Sequence, residues 1–137
     1  MKTAVQAGLA AVLAAATVLV TPAQAATIVQ RTAVCHSGGY SGTFTLRYDT
    51  SGGYHRIVNG YTTSGPYIGD VAGKVSLRIS YRTGSTTQTV YSQSSPTTGS
   101  TTFTMPSTTA VPVTSEGTAA ATFDNGTESC VATVLIR

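Results

Sequence analysis

A tyrosine-bearing turn recurs three times in the first half of the chain. The segments Ser37–Tyr40, Ser51–Tyr54 and Ser64–Tyr67 each begin with serine and glycine and end with tyrosine, at spacings of 14 and 13 residues. Tyrosine offers a large contact area at low entropic cost and keeps a polar hydroxyl, which suits recognition of another molecule. The tyrosines of the three segments, together with Arg56 and Tyr61 between the second and third segments, make up the predicted binding set. That set is Tyr40, Tyr54, Tyr61, Tyr67 and Arg56.

The alternative is that these tyrosines serve the fold. A serine–glycine turn followed by a tyrosine that begins a strand is common in β proteins, and a ring at that position can cap the core. If only alternate turns share one end of the domain, the four rings do not converge on one surface. The residue pattern leaves both interpretations open.

Catalytic chemistry has little support in the residue spacing. The two histidines, His36 and His55, belong to no HExxH, GxSxG or metal-ligand pattern. A triad could combine His55 with Asp49 or Asp70 and one of many serines, because triads are defined by geometry rather than by order. No spacing selects one combination, so we predict no catalytic residue, no metal ligand and no cofactor.

Basic residues form a second candidate surface. Lys74, Arg78 and Arg82 recur at every fourth position, so they lie on one face of a strand, and Arg47 points outward on a strand of its own. Such a stripe could contact anionic glycans, wall polymers or an acidic protein, and a solvated strand face is the alternative. No aromatic residues alternate with the stripe, so it lacks the aromatic side chains on which the bases of a single-stranded nucleic acid would stack. We therefore expect no nucleic-acid partner.

The first 25 residues have the pattern of a secretory signal peptide. Met1-Lys2 gives a charged start, residues 4–20 are mostly apolar, and residues 23–25 have the small-x-small pattern of a cleavage site. A transmembrane anchor is the alternative, but the run is shorter than the roughly 20 apolar residues that span a bilayer, and no basic cluster follows it. We expect cleavage after Ala25, a single extracellular domain over residues 26–137 with no membrane span, and a bacterial exporter.

Export would place the two cysteines in an oxidising environment, where pairing is the simplest expectation. A bridge between Cys35 and Cys130 would close a loop of nearly the whole domain and join its first strand to its last. A metal site that includes His36 is the alternative. Neighbouring strand residues point to opposite faces, so Cys35 and His36 do not easily share a metal ion. We predict the disulfide and no metal site.

Alternation of apolar and polar residues predicts an all-β fold. Residues 43–49 and 74–82 alternate strictly, and within residues 130–136 Cys130, Ala132, Val134 and Ile136 form one apolar face, which is typical of half-buried strands with one solvated face. The weaker candidates are residues 28–36, 54–61, 86–92, 101–105 and 118–124. No apolar pattern of helical period follows the leader.

Turn residues separate these segments and favour an antiparallel order. Asn125-Gly126 suits a tight hairpin, so the last two strands should be antiparallel neighbours. With Thr127 the same residues form a glycosylation sequon, which is the alternative. Seven or eight short strands predict an antiparallel β-sandwich, immunoglobulin-like in outline, with a small closed barrel as the alternative. The serine-, threonine- and proline-rich residues 92–118 should hold edge strands and loops, and a disordered linker is their alternative.

These patterns favour binding over catalysis. We expect a secreted, non-catalytic protein-binding module that acts as an inhibitor of an extracellular protein, or as an adaptor or subunit of an extracellular assembly. Either the tyrosine-bearing loops fill a pocket on the partner, or the extended residues 26–31 add as a strand to the partner's sheet edge. A carbohydrate- or cell-surface-binding domain, with a glycan as ligand, and a small hydrolase that uses His55 are the alternatives.

Overall fold

The computed structural model describes residues 27–68 and 71–137, whose strands form two antiparallel sheets packed face to face. Sheet A contains β1 (Ile28–Ser37), β2 (Tyr40–Ser51), β3 (Tyr54–Gly65), β6 (Ser100–Thr104) and β7 (Ala110–Pro112). Sheet B contains β4 (Gly73–Thr83), β5 (Thr86–Thr97), β8 (Glu116–Asp124) and β9 (Ser129–Ile136). The predicted antiparallel β-sandwich is confirmed. The predicted signal peptide over residues 1–25 lies outside the described residues.

Short hairpins build most of both sheets. Sheet A has the order β1–β2–β3–β6, and β7 pairs with β3 beyond the end of β6. Sheet B has the order β5–β4–β8–β9. The described residues contain nine strands rather than seven or eight, because the three-residue β7 forms around Val111 in the region expected to hold edge strands and loops. Within the described ranges no helix is long and apolar enough to cross a membrane.

The core lies between the sheets and follows the alternation of the sequence. Inward-facing residues of β2, β4, β8 and β9 supply most of it, and they include Tyr40, Phe44, Leu46, Tyr48, Val75, Leu77, Ile79, Phe123, Val134 and Ile136. Gly42 interrupts this row on β2. The ring of Phe123 packs directly over Gly42, where an added Cβ would overlap the ring. Glycine therefore lets the two sheets approach closely at this point.

The predicted disulfide joins the two sheets where their edge strands meet. Cys35 in β1 and Cys130 in β9 are 95 residues apart in sequence, and their Cα atoms are 5.7 Å apart. The end of β9 is also held to sheet A, because Tyr48 donates a hydrogen bond from its hydroxyl to the carbonyl of Arg137 at 3.0 Å. Arg31 reaches the same carbonyl at 3.4 Å. The prediction that the first and last strands are linked is confirmed.

Antiparallel strands place consecutive turns at alternate ends of the sandwich. The upper end carries the β1–β2 turn, the β3–β4 connection, the β5–β6 turn and the β8–β9 turn, and the lower end carries the turns β2–β3, β4–β5 and β7–β8. The predicted antiparallel pairing of β8 with β9 is confirmed. Their four-residue turn uses Asn125 as a structural residue, because its side-chain oxygen accepts hydrogen bonds from the backbone of Thr127 and Glu128 at 2.9 and 2.7 Å.

Candidate binding surface

Tyr40 and Tyr67 meet at the upper end of the sandwich. Their hydroxyls are 3.0 Å apart, their rings pack edge to face at 5.8 Å, and the Tyr67 hydroxyl is 2.6 Å from that of Ser64. Only 2% of Tyr40 is exposed, and Tyr67 is half-buried. Burial raises the pKa of the Tyr40 phenol, and its hydrogen bond with Tyr67 raises it further. The expectation that Tyr40 presents its ring to a partner is corrected, since the ring belongs to the core.

Tyr54 and Tyr61 lie elsewhere. Tyr54 follows the β2–β3 turn at the lower end, whereas Tyr61 lies towards the other end of β3. Both side chains are 44% exposed, a high value for tyrosine in strands. The four tyrosines therefore do not converge on one surface. Of the predicted binding set, Tyr54, Arg56 and Tyr61 share the outer face of sheet A.

A β-bulge at Val58 brings these three residues onto one face. Tyr54 and Tyr61 are seven residues apart, so strict alternation would point them to opposite sides of the sheet. The register with β2 shifts by one residue here, because Tyr48 is opposite Ile57 and Arg47 is opposite Asn59, which leaves Val58 as the extra residue. A bulge of this kind redirects the side chains that follow it. Both tyrosines consequently point outward.

The resulting surface, which we call the β3 strip, consists of Tyr54, Arg56, Val58 and Tyr61. Val58 is 38% exposed, and Arg56 is exposed as well. The Arg56 guanidinium lies 6.0 Å from the centre of the Tyr54 ring, and its Nε donates a hydrogen bond to the Ser51 hydroxyl at 3.2 Å. These contacts orient the Arg56 guanidinium. The strip runs along an inner strand of sheet A, which is paired on both sides.

Hydroxyl groups surround the upper half of the β3 strip. Tyr61 is opposite Thr45 on β2 and Thr102 on β6. The Thr45 hydroxyl is in turn 3.0 Å from that of Thr32 on β1. Tyr61 therefore stands in a row of neutral polar side chains that crosses all four neighbouring strands of the sheet.

The basic stripe on β4 faces outward on sheet B, but acidic residues oppose its two ends. Lys74 is opposite Asp124 and Arg82 is opposite Glu116 in the register with β8. Opposite charges on neighbouring strands reduce the field of the stripe. Arg47 belongs to sheet A on the other side of the sandwich and does not extend the stripe. This arrangement favours the solvated-face interpretation.

The histidines lie apart and in different environments. His55 is buried near the lower end, where its Nδ1 is 2.8 Å from the Thr50 hydroxyl and its ring packs edge to face on Tyr48 at 5.3 Å. His36 is exposed near the upper end of β1. Asp70 lies outside the described residues. No group of three or more His, Cys, Asp or Glu side chains within residues 27–68 and 71–137 is arranged to hold a metal ion.

The extended segment at the start of the domain is not a free arm. Residues 28–31 form the beginning of β1 and pair with β2, from Ile28 opposite Asp49 to Arg31 opposite Leu46. The segment is therefore held in sheet A on one side, and its addition to a partner's sheet stays a prediction.

Val58 is the one residue of the β3 strip that the sequence does not predict. Ile57 is buried and Val58 is exposed, and the alternation breaks after Val58, where half-buried Asn59 precedes buried Gly60. In the sequence, apolar residues at both Ile57 and Val58 depart from apolar–polar alternation, but such a pair does not by itself locate a bulge. No protein-family model, curated protein or solved structure matches the chain.

Proposed function

We propose that the chain is a secreted, non-catalytic protein-binding module whose contact surface is the β3 strip. The observation that carries this proposal is the bulge at Val58, which gathers two half-exposed tyrosines, an arginine and a valine on one outer face. In this role the protein acts as an inhibitor of an extracellular protein, or as an adaptor or subunit of an extracellular assembly. The disulfide and the leader pattern support an extracellular location, and the alanine-rich leader favours a bacterial exporter.

The chemistry of the β3 strip fits a protein partner. Tyrosine and arginine are enriched among the residues that dominate binding energy at protein interfaces. The strip lies on a strand paired on both sides, and Arg56 is already held by Tyr54 and Ser51, so little side-chain freedom is lost on binding. A rigid, partly apolar surface of this type contributes affinity without any change in the fold.

A second candidate function is glycan binding at the upper half of the same surface. Tyr61 can lie flat against a sugar ring, and the neighbouring Thr32, Thr45 and Thr102 hydroxyls can exchange hydrogen bonds with sugar hydroxyls. This candidate needs Tyr61 and its threonine neighbours but not Arg56. The two functions can therefore be separated by variants.

The test compares two double variants that each remove one arginine and one large exposed side chain. One changes the β3 strip (Arg56→Ala with Tyr61→Ala), and the other changes the outer face of sheet B (Arg78→Ala with Leu135→Ala), where Leu135 is 49% exposed. Each mature protein serves as bait for proteins of the producer's culture supernatant, and bound proteins are quantified by mass spectrometry. Loss of two energetically important side chains should weaken binding of a captured partner by about 30-fold or more.

The proposal predicts loss of capture for the strip variant only, with the Tm of both variants within a few degrees of the wild type. Equal capture by the two variants, or loss confined to the sheet B variant, would contradict it. A parallel pull-down on insoluble polysaccharides examines the second candidate. Retention of the wild type and of Arg56→Ala, but not of Tyr61→Ala, would favour a glycan ligand over a protein.

A further inference from the structure

The outer edge of β5 is the longest edge that the described strands leave unpaired. Within residues 27–68 and 71–137, β5 pairs only with β4, and it extends over 12 residues. The edge strands β1 and β9 differ, because they face each other across the disulfide. The strands β6 and β7 at the far edge of sheet A have only five and three residues.

This edge carries few of the features that keep strand edges apart. Edge strands are commonly protected by charged residues, proline or bulges. No residue of Thr86–Thr97 is charged. Pro96 lies near the end of the strand, and the register with β4 shifts at Val90, since Tyr91 is opposite Ile79 and Thr89 is opposite Ser80. Between these two interruptions, residues 91–95 form a regular, uncharged edge.

A groove runs beside this unprotected part of β5. It has a volume of about 330 Å³ and is bounded by residues of β5 that include Tyr91 and Gln93, and by β6 with Pro106 on the other side. The rings of Tyr91 and Phe103 pack edge to face at 6.5 Å between the two walls. Inward-facing side chains of a strand added to β5 would lie beside this groove.

We propose that residues 91–95 of β5 pair antiparallel with the same residues of a second copy of this chain, which joins the two copies of sheet B into one continuous sheet. Antiparallel pairing is its own complement under a two-fold axis, so one edge can serve both copies. The edge offers hydroxyl and amide groups but no charge that would select a different partner. This proposal is independent of the β3 strip.

The charges of the two copies do not oppose this association. The basic stripe belongs to β4, one strand inside the edge, so three strand spacings of about 4.8 Å, or about 14 Å, would separate the strands that carry it, beyond the Debye length of about 8 Å at physiological salt. The Arg78 guanidinium reaches the Thr89 hydroxyl on β5. In a pairing centred on Gln93, however, the two copies of Thr89 lie eight residues apart along the strands, about 27 Å at about 3.4 Å per residue. Repulsion between the stripes is therefore largely screened. Because the paired segment is short, we expect a weak, concentration-dependent dimer.

The test measures self-association of the mature protein by sedimentation velocity over a concentration series up to about 1 mM. Gln93 is opposite buried Leu77, so its side chain lies on the inner side of the sheet beside the groove, yet it is exposed. Gln93→Lys places an inward-facing charge at the edge, which opposes strand addition. Thr122→Lys adds the same charge to an exposed position of β8, a strand that is paired on both sides.

We expect Gln93→Lys to raise the dimer Kd by about ten-fold or more and Thr122→Lys to leave it nearly unchanged. Amide exchange of the wild type gives a measurement that needs no variant. Those amides of residues 91–95 that point away from β4 should become protected as the concentration rises, whereas the alternate amides bonded to β4 should not change. A monomer at every concentration would overturn the proposal. So would a dimer that both lysine variants weaken equally, or one that is lost on Tyr61→Ala, which would move the contact to sheet A.

Discussion

Removal of the disulfide should cost this domain a large part of its stability. The perturbation is the double substitution Cys35→Ala with Cys130→Ala, compared with wild-type protein that has been reduced and alkylated. Both cysteines are only half-buried, so the loss of their sulfur atoms removes little packing compared with the loss of the cross-link. The main effect is on the unfolded chain, which gains the freedom that the bridge had removed.

The magnitude follows from the length of the closed loop. The bridge joins residues 95 positions apart, and the chain-entropy relation gives about 4.7 kcal/mol for a loop of about that length. Small domains are stable by only about 5–15 kcal/mol, so this loss is a third or more of the total. At about 4 °C per kcal/mol for a domain of this length, the Tm should fall by about 20 °C.

The assay is thermal unfolding followed by circular dichroism, together with urea unfolding at 25 °C. Since an unbridged chain exposes more surface when it unfolds, the m-value should rise in the double variant. The alkylated wild type should agree with the double variant in both measurements. A fall in Tm of less than about 5 °C with an unchanged m-value would refute the entropic account.

Two further predictions concern the core and its upper end. Gly42→Ala should lower the free energy of unfolding by about 1–3 kcal/mol in urea, because the new Cβ overlaps the Phe123 ring. The matched control Gly99→Ala, whose Cβ would meet no atom within 4 Å, should change it by less than about 1 kcal/mol. The pKa of Tyr40 is raised above its ordinary value of 10.0. As the pH rises, the Tyr40 hydroxyl therefore loses its proton at a lower pH in the unfolded chain than in the folded protein. The free energy of unfolding consequently falls as pH rises above 10. Tyr40→Phe should reduce that fall, and an unchanged pH dependence would contradict the assignment. The same substitution removes the hydrogen bond to Tyr67 and should cost about 0.5–1.5 kcal/mol at neutral pH.

Alternation and cysteine pairing were sufficient to predict the architecture. Residues 43–49, 74–82 and 130–136 fall within β2, β4 and β9, and in each strand one alternating set of apolar residues faces the core, whereas Val131 and Leu135 of β9 are exposed. Alternation with a period of two indicates which residues share a face, and a buried face must pack against another sheet. The alternation does not indicate which strands belong to the same sheet. For that reason the strand orders, and the short β7, could not be derived from the pattern.

The misplacement of Tyr40 has a specific cause. The strict alternation begins at Thr43, so the pattern places Tyr40 at the end of the preceding turn. In the structure β2 begins at Tyr40, which has the same parity as Phe44 and Leu46 and therefore points inward with them. Gly42 lies at the intermediate inward position, and because it has no side chain it hides the continuation of the apolar row.

Topology divides three segments that are alike in sequence. In a succession of hairpins the first and third turns share an end of the sandwich and the second lies at the other end. Tyr40 and Tyr67 therefore meet each other and stabilise the upper end, whereas Tyr54 is separated from both. Only the extra residue Val58 makes Tyr54 and Tyr61 outward-facing on the same strand, since without it one of the two would point into the core. The repeat thus accounts for the turns, and the irregularity within β3 accounts for the surface that we propose to bind a partner.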